Sequence, residues 1–172
     1  MLKQVVLRSL FLPILFFASG ASAQIYRLAS GSQYLEGCIS GLCLCPIQLT
    51  TQLEGKMRLI RDGDDAFDVR DVSWDVLCDS APLHFTGEGR YVRRGTGESR
   101  EHRMELALSA NGREAVPYDS GWMPLSLDGY DIDLYLPMAE VVCYGSAFGV
   151  RAVAASPVPT DHQSWGTVKL RW

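Results

Sequence analysis

A chain of 172 residues, 47% of them hydrophobic and 21% charged, is long enough for one domain with a single sizeable core. Its formal charge of −4, from 16 Lys+Arg against 20 Asp+Glu, disfavours nucleic acid or an anionic membrane surface as partner, because both reward a basic stripe.

Met1 to Ala23 has the three parts of a secretory signal: Lys3 and Arg8, then the apolar run Leu10–Phe17, then Ala21–Ser22–Ala23 as a small-residue cleavage site. The apolar run falls well short of the roughly 20 residues that span a bilayer. Cleavage after Ala23 is expected to leave an exported chain, Gln24–Trp172, with no transmembrane segment. Loss of the two basic residues takes its formal charge to −6. Whether it stays in the periplasm or leaves the cell is open.

The rest reads as short strands punctuated by Gly, Asp and Asn turns. Ile25–Leu28 is a first strand, ended by Gly31 and Ser32. A knot of three cysteines follows in Cys38–Ile39–Ser40–Gly41–Leu42–Cys43–Leu44–Cys45–Pro46. Ile47–Leu53 and Lys56–Arg61 are expected as two strands, with Met57 and Leu59 on one face. After the acidic turn Asp62–Gly63–Asp64–Asp65 comes the clearest alternation, Phe67–Cys78. Its apolar residues fall at 67 and 69, then at 72, 74 and 76. A one-residue slip would turn every later side chain to the other face, so a β-bulge or a bend is expected around Arg70–Asp71.

Leu83–Arg93 keeps Leu83, Phe85 and Tyr91 on one parity, with Gly87 and Gly89 marking a bend or a close backbone approach. Glu101–Ser109 holds residues that favour helices. The alternation of Met104, Leu106 and Leu108, and the Asn111–Gly112 turn after them, favour a strand. Ala115–Tyr118, Asp131–Leu136, Glu140–Tyr144 and Ala147–Ala154 complete the set. About ten short strands with regular turns indicate an all-β fold, an antiparallel β-sandwich or barrel, over residues 24–155. Ser156–Pro157–Val158–Pro159–Thr160 opens a Pro-containing linker and tail, 156–172, expected to add little to the core.

The order of these features resembles a loosely defined set of exported bacterial β-rich proteins. The shared elements are the Cys-x4-Cys-x-Cys-Pro entry at 38–46, the alternating strand Phe67–Val76, and Gly-x-Gly-x-Tyr at 87–91. Met-x-Leu-x-Leu at 104–108, Asp119–Ser120–Gly121 and Cys143–Tyr144–Gly145 follow. The resemblance implies compartment and fold. It implies no activity, cofactor or partner, and Cys78 lies outside its pattern.

In an exported chain cysteines are read as disulfides before metal ligands. Five cannot all pair. Cys43 and Cys45 are too close to prefer each other, so one is expected to pair with Cys38 and the other with Cys143. Cys78 shares parity with Trp74 and Val76 and is expected as a buried free thiol. A Cys78–Cys143 bridge is the alternative.

Asp62, Asp64 and Asp68 are weak calcium candidates, with Asp65 beside them and a second acidic turn at Asp128, Asp131 and Asp133. No glutamate closes a calcium loop there, and acidic turns are ordinary hairpin ends. His84, His102 and His162 stand alone in sequence. Ser146 misses the Gly-x-Ser-x-Gly elbow by a residue. The arginines at 90, 93, 94, 100 and 103, mixed with glutamates, read as cross-strand ion pairs. Trp74 is expected in the core, and Trp122 is a candidate aromatic contact or a loop-packing residue.

Nothing here calls for a cofactor or defines a catalytic site. The leading expectation is a non-enzymatic structural or binding module. The rivals are a carbohydrate-active or other hydrolase using the acidic turns, and a small-molecule carrier with an apolar barrel interior. What separates them is whether carboxylates converge in a cleft, whether a cavity is lined, and whether the two acidic turns share one end of the fold.

Overall fold

The computed structural model describes residues 23–38, 48–77, 82–126, 128–139 and 144–155, and these are almost entirely antiparallel sheet. The strands are β1 (Ala23–Leu28), β2 (Gln33–Cys38), β3 (Gln48–Arg61), β4 (Ala66–Val76) and β5 (Leu83–Arg94). They continue with β6 (Glu101–Ala110), β7 (Val116–Asp119), β8 (Met123–Pro124), β9 (Ile132–Pro137) and β10 (Tyr144–Ala154). The only helical element among the described residues is a 3-10 turn at Gly97–Ser99, and no described helix is long and apolar enough to cross a membrane.

Each strand pairs with its sequence neighbour from β2 to β7, and β9 pairs with β10. β10 then pairs with both β1 and β2, which lie in turn against the two halves of β3. The last join is a bridge from Tyr118 to Met138, reinforced by Ala139 N–H donating to Pro117 O. The ladder closes on itself as a barrel of sequential neighbours, which leaves few free edges to template aggregation.

One expected division is corrected: Ile47–Leu53 and Lys56–Arg61 are one strand, because Leu53 to Lys56 stay paired with Val76 to Ser73 on β4. The first strand ends before Gly31–Ser32 as expected, and a strand not expected, β2, follows it: β1 and β2 run in the same direction along β3, two residues out of register with each other. Ser32 holds the interruption. Its hydroxyl donates to Arg151 O at 2.9 Å and accepts from Arg151 N–H at 3.1 Å, replacing the missing ladder bonds.

The expected bulge is present. Register shifts on both sides of β4, between Lys56 and Arg58 on β3 and between Val69 and Val72 on β4, leave one extra residue there. Asp71, at φ +51°, is that residue. β6 is a strand, its even-numbered residues from His102 to Leu108 buried in alternation.

One core fills the interior. Trp74, Tyr91, Met104 and Phe148 have no exposed surface, and Ile132, Leu134 and Leu136 line the wall opposite. Phe148 lies at its centre, with ring centroids of Tyr118, Phe85, Tyr34 and Trp74 at 4.9, 5.0, 5.4 and 5.4 Å. Tilted and edge-on packing of this kind adds about 0.5–1.5 kcal/mol per pair beyond burial.

Candidate binding site at the tyrosine-lined end

Strand direction gives the barrel two ends. At one, Ala23 faces Ile60, Tyr26 faces Ala154, and Ile132 faces Ala152, so the turns at 62–65 and 128–131 share it. Four carboxylates of this end are engaged. Asp62 faces Arg90 at 3.8 Å, Asp68 faces Arg70 at 3.5 Å, and Asp133 faces Arg151 at 3.5 Å. Asp131 accepts from Ala154 N–H at 2.7 Å. Among the described residues no group of three or more His, Cys, Asp or Glu side chains is placed to hold a metal ion, and Asp62, Asp64 and Asp68 form no such group.

A polar cluster is buried beneath this end. His102, isolated in sequence, is fully buried and receives its partners from β5, where Arg93 lies opposite it in register. Arg93 Nε–H donates to Tyr91 Oη at 3.1 Å, so the phenol donates onward to His102 Nδ1, also at 3.1 Å. The ring hydrogen then sits on Nε2, which faces the main chain of Asp133 without a hydrogen bond of full geometry. Burial, with the nearby Arg93 charge, lowers the His102 pKa. Burial raises that of Tyr91. A neutral imidazole and a protonated phenol with no solvent access form a structural network.

On the outer face, a groove of about 510 Å³ has Ala107, Pro117 and Ala139 among its lining. Its charged walls are already matched. Arg70 pairs with Glu88, and Arg103 grips Asp119 through both carboxylate oxygens, at 2.9 and 2.5 Å, while reaching Glu105 at 2.6 Å. Of the arginines expected in such pairs, Arg90, Arg94 and Arg103 make them, whereas Arg93 donates to Tyr91 Oη and Arg100 to Gly97 O. Arg94 adds a pair to Glu101 at 2.7 Å and lies 3.9 Å from the ring centre of the half-buried Trp122. Trp122 is packed in its loop.

The opposite end is built differently. Tyr34, Glu36 and Cys38 alternate along β2, and Tyr144, Ser146 and Phe148 stand opposite them, residue for residue, on β10. Tyr34 and Phe148 are buried in the core, and side chains two residues apart share a face, so all six lie on the interior side. Leu49 and Thr51 continue the same wall on β3, opposite Glu36 and Tyr34. The packing stops before the wall does: Tyr144 and Leu49 face inward yet are 63% and 56% exposed.

The polar groups of this end converge. Tyr34 donates to Glu36 Oε2 at 3.4 Å, and Tyr144 donates to Glu36 Oε1 at 3.3 Å. Tyr118 Oη and Ser146 Oγ are hydrogen-bonded at 2.7 Å. Burial first, then the Glu36 charge, raises the Tyr34 pKa; for Tyr144 the Glu36 charge is the larger cause. Both phenols therefore stay protonated as donors to the carboxylate. Ser146, read against a nucleophile elbow, has no histidine partner among the described residues and serves Tyr118.

Sequence reasoning missed this site. Its signal was present as two period-two runs, Tyr-x-Glu-x-Cys at 34–38 and Tyr-x-Ser-x-Phe at 144–148. What makes them one site is their register across 110 residues of chain, and one sequence does not print that.

Cys38 is disulfide-bonded. Cys43, Cys45, Cys78 and Cys143, the signal expected at Met1–Ala23 save for Ala23 itself, and the tail at 156–172 lie outside the described residues. No family model, curated protein or solved structure matches the chain.

Proposed function

We propose that this chain is an exported, non-enzymatic binding module that engages its ligand at the tyrosine-lined end. The supporting observation is the inner wall that runs past the packed core, leaving Tyr144 and Leu49 inward-facing and exposed above a carboxylate and phenolic hydroxyls. Ligand sites join apolar walls to a few convergent polar groups in this way. The carrier reading has less support, because Trp74, Tyr91, Met104 and Phe148 occupy the barrel interior. The hydrolase reading gains from both acidic turns sharing one end, and loses because Asp62, Asp68, Asp131 and Asp133 are each engaged with a partner.

The test is a small-fragment screen on the mature protein by amide chemical-shift mapping. Binding fragments are expected to move the amides of Glu36, Tyr144 and Ser146. Fragments that map instead to the outer groove at Glu105–Asp119, or a screen with no binder, would overturn the assignment.

A further inference from the structure

We infer that the tyrosine-lined end selects a primary alkylammonium group, an inference that rests on the binding reading above and names its ligand class. The hydroxyl hydrogens of Tyr34 and Tyr144 are directed at Glu36, one to each carboxylate oxygen. Tyr118 and Ser146 share one hydrogen bond, and Ser146 is also hydrogen-bonded to Tyr34, so the chain Tyr118 to Ser146 to Tyr34 to Glu36 spends each of these hydroxyl hydrogens in turn. Apart from the Thr51 hydroxyl, which can donate or accept, what remains for a ligand is acceptor capacity: the unused lone pairs of the carboxylate and the phenol oxygens. A donor-rich, positively charged group matches that set, and an anion is repelled by it.

The charge balance agrees. Among the described residues no Lys, Arg or His lies within ion-pair distance of Glu36, in contrast to Asp62, Asp68, Glu88, Asp119 and Asp133, each of which faces an arginine. Four connections join the strands at this end. The described connection among them, 111–115, carries one basic residue, Arg113, next to Glu114. The exposed Tyr144 ring and the Leu49 side chain provide an aromatic and an apolar surface for the alkyl stem. An ammonium held this way gains both a charge-assisted hydrogen bond and attraction to a ring face.

The experiment titrates mature protein with n-butylammonium and, separately, with its neutral counterpart n-butanol, following amide shifts. The expected result is saturable binding of n-butylammonium that moves Glu36, Tyr144 and Ser146, with at least tenfold weaker binding of n-butanol. Glu36→Gln is expected to weaken n-butylammonium at least tenfold while leaving the rest of the spectrum and the thermal midpoint unchanged. Tyr144→Phe, which keeps the ring, is expected to weaken it less than Glu36→Gln does. Equal binding of the two probes at these amides would overturn the ammonium inference and leave the binding end standing. Binding of neither probe, or shifts confined elsewhere, would overturn the ammonium inference; only a fragment screen that also finds nothing at this end would remove the broader reading.

Discussion

Asp71 carries the turn of phase that lets β4 keep apolar residues inward on both sides of the bulge. It does so at φ +51°, where a Cβ is disfavoured. Its ion pair to Arg58, at 2.5 Å, is exposed on both sides and adds little. Asp71→Gly is therefore expected to hold stability or raise it by up to about 1 kcal/mol, and Asp71→Val to lower it by about 1–2 kcal/mol. Urea unfolding checks both, and equal midpoints for the two variants would remove the strain argument. His102 gives a second prediction at this scale. Folding keeps its imidazole neutral, while the unfolded chain takes up a proton near the ordinary value of about 6.5. The unfolded state binds more protons, so stability falls as pH drops below about 6.5. Asp119, whose carboxyl is held low mainly by its hydrogen bonds from Arg103, adds a separate loss only in the carboxylate range. His102→Gln is expected to flatten the dependence between about pH 6.5 and 5 and to leave the acid limb in place. An unchanged slope in that window would show that His102 is not the group responsible.

At the scale of elements, alternation made β4, β5 and β6 legible, and even the bulge, because inward parity at 67 and 69 conflicts with 72, 74 and 76. Alternation could not reveal β2. Gly31–Ser32 reads locally as a terminator, and the strand resumes because the Ser32 hydroxyl bonds to Arg151, 119 residues away. The glycines of β5 were legible as a close approach but not as to what they approach. A Cβ on Gly89 would stand 1.9 Å from Glu105 O, a backbone atom of β6 that cannot swing aside. Opposite lies Val69, at the start of the β4 bulge. Bulge and glycine thus form one crease across neighbouring strands, which bends the sheet toward closure. Gly89→Ala is expected to cost about 1–3 kcal/mol by forcing β5 off β6. A denaturation midpoint within error of the parent would mean that the crease relaxes freely.

For the whole molecule, closure decides what the ends of the chain and the cysteines can do. β10 has β9 on one edge and β1 and β2 on the other, so no edge of the last described strand is left for residues 156–172. Deleting Ser156–Trp172 is expected to leave the thermal midpoint nearly unchanged, and a large drop would show a strand in the tail. Cys38 closes β2 at the tyrosine-lined end; in the sequence Cys43 and Cys45 fall between β2 and β3, Cys78 follows β4, and Cys143 precedes β10. Cys38, already in a disulfide, stands opposite Tyr144, one residue from Cys143. The pairing expected remains Cys38 with Cys43 or Cys45, the other of these with Cys143, and Cys78 free. The longer bridge closes about 100 residues and would stabilise the fold by on the order of 4–5 kcal/mol on the chain-entropy account. It would tie the β2–β3 connection to the start of β10, where the walls of the proposed site meet. Non-reducing peptide mapping after alkylation should find the label on Cys78 alone. A labelled Cys143, or a Cys78–Cys143 peptide, would reverse the assignment. Reduction under native conditions should then shift the amides of Cys38 and Tyr144 before those of Met104, because the core strands stay paired through the sheet whether or not the bridges hold.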